Sequence, residues 1–109
     1  MKVIILPKVI EYLDNLVFIL YKEGYFSYLE TSQRYVDEML VDIETNLSNK
    51  QHKPAPRHFD KYGKGMKYAV FRKNKRTNWY AFFKTYRKNE ETIYVVRYIA
   101  NNHVIAQYL

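Results

Sequence analysis

Residues Met66–Leu109 read MKYAVFRKNKRTNWYAFFKTYRKNEETIYVVRYIANNHVIAQYL. Two aromatic-rich apolar runs, Met66–Lys73 and Trp79–Tyr86, are split by the polar segment Asn74–Thr77. A third run, Thr92–Ala100, follows the polar segment Arg87–Glu91 and is the most β-branched in the chain. Short polar segments between such runs predict a meander of antiparallel strands. Neither segment offers the Gly that a two-residue primed turn favours; the pairing taken sets Lys73 opposite Asn78 and Tyr86 opposite Thr92. Alternation then places Val70, Ala81, Phe83, Ile93, Val95 and Ile99 on one face, with Tyr68, Arg72, Trp79 and Arg97. Ala69, Phe71, Tyr80, Phe82, Tyr94, Val96 and Tyr98 fall on the other, with Lys67, Lys73 and Lys84. Both faces are half apolar, which requires a covering layer on at least one.

That layer lies upstream. Lys2–Leu6 is a short β-branched strand stopped by Pro7, a residue suited to the first turn of a helix. From Lys8 to Glu23, Val9, Ile10, Leu13, Leu16, Val17 and Leu20 recur at helical spacing. Gly24 is placed to close this helix in a left-handed conformation. Ser27-x-x-Glu30 offers a capping box for a second helix over Tyr28–Leu47, whose stripe is Leu29, Val36, Leu40, Ile43 and Leu47. Ser48–Lys64 is a basic, proline-containing connector. The order β-α-α-β-β-β implies an α+β domain: a helical hairpin packed on a four-stranded antiparallel sheet, with the first strand antiparallel to the second and a tail from Asn101 to Leu109.

A chain of 109 residues forms one domain with a real core. It has no cysteine, which excludes disulfides and thiolate metal sites. No signal peptide or membrane span is recognisable, so a cytoplasmic location is expected. Charge is uneven. Residues 1–50 hold five Lys/Arg against eight Asp/Glu, and residues 51–109 hold thirteen against three, giving −3 and +10 within the net +7. A basic half of this kind fits a polyanionic partner, nucleic acid before an acidic protein.

Three stretches carry a resemblance: KVIILPKVIEYLDNLVFILY, HKPAPRHFDKYGKGMKYAVF and VVRYIANNHVIAQYL. In these, and in its element order, the chain resembles the RelE/ParE superfamily of bacterial type II toxins, in particular Bacteroides-like members. The resemblance implies a toxin encoded beside a cognate antitoxin protein. RelE-type members cut messenger RNA in the ribosomal A site without metal or organic cofactor, whereas ParE-type members inhibit DNA gyrase by binding. Fold does not choose between these activities. The ribosome-dependent nuclease is the favoured expectation; the alternatives are a gyrase inhibitor and a non-toxic nucleic-acid-binding module. Carried over by type and place, the resemblance implies Arg72, Lys73, Arg97, His103 and Tyr108 as site residues. Four residues separate His103 from Tyr108, and Lys67-Tyr68 stand where the family usually has an arginine.

Cutting RNA through its own 2′-hydroxyl needs a base, a cation on the phosphate and an acid for the leaving oxygen. Arginine suits the phosphate because its planar fork binds two oxygens and stays charged. Arg72 and Arg97 share a face in the expected register, which would permit a common clamp; Arg97 alternatively pairs with Glu38 or Asp42. Histidine is the side chain best suited to proton transfer near neutral pH, so His103 is the acid–base candidate, ahead of His52 and His58. Lys67, Lys73 and Lys84, interleaved with Tyr80, Tyr94 and Tyr98, match what stacking on unpaired bases requires. Lys75, Arg76 and Arg87 at the hairpin tips are candidate phosphate contacts. No His-x-x-His or His-Glu-x-x-His spacing points to a metal.

Overall fold

The computed structural model describes residues 2–105. Strand β1 (Lys2–Ile5) leads into helix α1 (Pro7–Lys22) and helix α2 (Leu29–Asn46). After these come β2 (Lys53–Pro54), β3 (Lys67–Arg72), β4 (Asn78–Lys88), β5 (Glu91–Asn101) and a single-turn helix α3 (Asn102–Ile105), with short 3-10 helices at Leu47–Asn49 and Arg57–Tyr62.

Pro7 opens α1, where its missing N–H costs nothing. Gly24, at φ +80°, closes it as expected. The Tyr25 N–H donates to the Leu20 carbonyl at 3.0 Å and the Gly24 N–H to Tyr21 at 3.1 Å, the paired bonds of a Schellman ending. The capping box at α2 does not form: Tyr28 takes the N-cap and no side-chain cap bond is made. Helix α2 starts one residue too late for the Ser27 hydroxyl to sit at the cap.

The expected four-stranded antiparallel sheet is wrong on two counts. The sheet has five strands in the order β1-β5-β4-β3-β2, and it is mixed, because β1 runs parallel to β5. The cause lies in the connector. Lys53 and Pro54 pair antiparallel to Tyr68 and Lys67, so the chain makes one extra pass before β3. That pass reverses the sense of every later strand relative to β1. A two-residue strand in a Lys-Pro-Ala-Pro setting has no alternation to betray it, and Pro54 is tolerated because β2 is an edge.

The β3–β4–β5 meander forms, but its register is shifted. Arg72, not Lys73, lies opposite Asn78, which puts Ala69 against Ala81 and Phe71 against Trp79. A one-residue slip exchanges the faces of a strand, so Ala69 and Phe71 face the helices while Tyr68, Val70 and Arg72 face away. At the other hairpin, Lys88 pairs with Glu91 across Asn89 and Glu90, at φ 51° and 66°. This is a two-residue left-handed turn formed without the Gly that usually favours it. A register shift between Phe82 and Phe83 leaves Arg97 as the extra residue of a bulge and keeps both Val96 and Ile99 on the helix side. Glycine relieves the Cβ conflict of a left-handed residue. Glu90→Gly should therefore stabilise the fold by about 1 kcal/mol, read as a higher denaturation midpoint.

The helix-side core joins α1, α2 and one sheet face through Leu13, Leu16, Met39, Ile43, Phe71, Trp79 and Phe83. Met39 and Ser32 complete the buried stripe of α2, whereas Leu40 and Leu20 are half-buried and Leu29 is exposed. The Ser32 hydroxyl donates to the Val17 carbonyl at 2.5 Å, tying the two helices together.

The opposite face is covered by the connector. Phe59 stacks on Phe82 at 4.4 Å and Tyr62 on Tyr98 at 3.9 Å, forming a second core with Met66 and Ala100. Burial raises the Tyr98 pKa, reinforced by its interaction with Tyr62 and the proximity of Tyr12. A phenol held neutral in the fold but free to ionise in the unfolded chain stabilises fully below the unfolded value. That contribution is lost as pH rises from about 10 toward the folded value. Stability should thus fall as pH rises above about 10, and Tyr98→Phe should flatten that slope in denaturant titrations.

Among the described residues, no helix is long and apolar enough to cross a membrane.

Candidate functional site

The β3–β4 loop and the end of β5 meet at one end of the sheet. Within the loop, the Asn74 Oδ1 accepts the Arg76 and Thr77 N–H groups, both at 2.9 Å. Such a side chain-to-backbone turn replaces the missing Gly as the loop's fixing device. Asn102 then clamps the loop to β5. Its Oδ1 accepts the Asn78 N–H at 2.9 Å and its Nδ2 donates to the Arg76 carbonyl at 3.1 Å. His103 follows immediately, exposed on α3. Sequence reasoning missed Asn102. The one available signal was an Asn pair ending a strand, a weak one. Its amide supplies one donor and one acceptor, so Asn102→Ala should cost about 1–2 kcal/mol and loosen the loop, visible as faster amide exchange at Asn78.

Four cations gather here: Arg72, Lys73, Lys75 and Arg76. The Arg72 Nε donates to the Asn74 carbonyl at 3.3 Å, on the sheet face away from the helices. Lys73 turns the other way and holds its Nζ 4.8 Å from the centre of the Tyr35 ring. The two side chains straddle the strand end, while Lys75 and Arg76 stand exposed in the loop.

Beside them a cleft of about 430 Å³ opens between the α1–α2 turn and the sheet. Tyr12, Tyr25, Phe26, Tyr35, Trp79 and His103 line it, with Asn74 and Thr77 from the loop. The Trp79 indole N–H donates to the Tyr35 hydroxyl at 2.9 Å. Burial raises the Tyr35 pKa, against the lowering effect of that bond, and the hydroxyl still has its own proton to donate.

The remaining expected residues lie elsewhere. Arg97 sits four to five residues along the ladder from Arg72 and two strands over, about 15 Å along the strands and about 10 Å across them. Its guanidinium donates to the Tyr86 hydroxyl at 3.3 Å, at the far end of β4, so the two arginines point apart and form no common clamp. A Cβ on Gly63 would come within 3.0 Å of the Arg97 Cδ, which shows how closely the connector covers this side chain. Its Nε is buried with no partner among the described residues. The hydrogen bond from Arg97 lowers the Tyr86 pKa, outweighing desolvation, with help from the charges of Arg97 and Lys84. Lys67 is exposed at the start of β3, and Arg87 donates to the Thr92 hydroxyl at 2.9 Å near the opposite hairpin. Tyr108 lies outside the described residues.

His52 is structural: its Nε2 lies 2.8 Å from the Leu47 carbonyl at the end of α2, and its ring meets Phe83 edge-on. His58 packs edge-on against Phe59. Among the described residues, no group of three or more His, Cys, Asp or Glu is arranged to hold a metal ion.

Comparison with protein-family models, with curated proteins and with solved structures found no match to this chain.

Proposed function

We propose that this chain is a toxin of RelE/ParE type that acts as a ribosome-dependent endoribonuclease, held in check by a cognate antitoxin protein. The observation that carries this reading is the meeting, at one end of the sheet, of the loop cations and His103 beside an aromatic-lined cleft, joined through Asn102. Each part suits RNA. Lysine and arginine side chains in an exposed loop position phosphates. An exposed imidazole can exchange a proton with a ribose or leaving oxygen. Aromatic walls hold unpaired bases. The strongly basic residues 51–109, thirteen Lys/Arg against three Asp/Glu, favour a polyanionic partner, and Arg72, Lys73, Lys75 and Arg76 of them stand at this end.

The purified chain, added to a reconstituted bacterial translation system, should arrest protein synthesis while leaving gyrase-driven DNA supercoiling intact. Arrest of supercoiling with translation untouched would replace this reading with gyrase inhibition. No effect on either would leave a nucleic-acid-binding module without toxicity.

A further inference from the structure

The cleft has a feature that phosphate contacts alone do not use: aromatic side chains from the helical hairpin and the sheet line it, beside the aliphatic Leu16, Ile19 and Leu20, while the loop cations stand next to it. Tyr25 and Phe26 come from the helical turn, Tyr35 from α2, Trp79 from β4 and His103 from α3. Tyr25 is 68% exposed, so its ring lies at the entrance rather than in the core. Lys73 crosses the Tyr35 ring at the rim, and Lys75 and Arg76 extend the charge along the loop. Polar edges remain within reach. The Tyr35 hydroxyl accepts from Trp79 and keeps its own proton to donate, and Glu23, the one carboxylate in the lining, is an acceptor.

We propose that this cleft takes a single unstacked base of single-stranded RNA, stacked on the exposed Tyr25 ring at its entrance, while the adjoining phosphates lie on Lys73, Lys75 and Arg76. This rests on the nuclease reading and names where its substrate is gripped. A cavity of this size falls in the range of small-molecule sites. Flat π-faces give stacking that tolerates any base, and cations at the rim select a ligand that carries phosphate, not an apolar side chain.

Trp79 is the only tryptophan in the chain and lines the cleft, so its fluorescence reports occupancy directly. Titration of the full chain with nucleoside 5′-monophosphates should quench or shift this emission saturably, and ribose 5-phosphate should not. Tyr25→Ala should weaken nucleotide binding about 5- to 100-fold, and its exposed position keeps the fold intact as judged by thermal melting. Lys75→Ala with Arg76→Ala should weaken it most at low salt. The inference is overturned if nucleotides leave the emission unchanged, or if Tyr25→Ala binds them as wild type does. It is equally overturned if N-acetyltyrosinamide binds as well as a nucleotide and ignores the loop cations, which would assign the cleft to a protein side chain. Message cleavage that persists with unaltered nucleotide affinity in Tyr25→Ala sinks the base site and spares the nuclease. Nucleotide quenching by a chain that never cuts RNA does the reverse.

Discussion

Replacing His103 with Ala should lower message cleavage about 10²–10⁴-fold, the usual cost of a lost general acid or base, and leave the fold unchanged. The expectation of an intact fold follows from placement: His103 is exposed on the short helix after β5, and Asn102, not His103, holds the loop. The expected loss of rate follows from chemistry, because His103 is the histidine beside the cleft, whereas His52 and His58 are packed on aromatic rings elsewhere. Single-turnover cleavage of a ribosome-bound message checks the rate, and a thermal melt checks the fold. Cleavage at the wild-type rate in His103→Ala would remove the proton-transfer role and move it to Lys73 or Tyr108.

The second large effect concerns packing. Phe71→Ala should cost about 3–5 kcal/mol, the range for a buried aromatic cut to alanine, because Phe71 is fully buried between Trp79 and the helices. Its neighbour Val70 faces the other way and is half-exposed, so Val70→Ala should cost well under half as much. Urea unfolding of both variants reads the β3 register directly. Equal losses, or a larger loss for Val70→Ala, would mean that the strand is slipped by one residue.

The strands, the two helices and the Gly24 ending were legible because each depends on local periodicity or on one residue's freedom. What was not legible depended on long-range or side-chain choices. β2 carries two residues and a proline, so only its partner β3 defines it. The β3–β4 register turned on Asn74 accepting two backbone N–H groups, which fixes the loop one residue from where alternation alone put it. The β4–β5 turn set Asn89 and Glu90 at positive φ, a conformation rare enough outside glycine that a sequence reading passes over it. Within the site, the loop cations and His103 were picked by type, but their meeting was not, since Asn102 makes it across more than twenty residues of chain. Arg97 was picked as a companion to Arg72. Its place in a bulge beneath Gly63 separates the two, and no pattern of alternation contains a bulge.

Cleavage of RNA at the loop end of the sheet, as proposed, is tested most directly by primer extension on a defined message translated in the presence of the purified chain. New 5′ ends at the A-site codon are expected with the wild-type chain, and their loss with His103→Ala or with Lys73→Ala. A message that stays whole at every concentration while translation or supercoiling stops would contradict it.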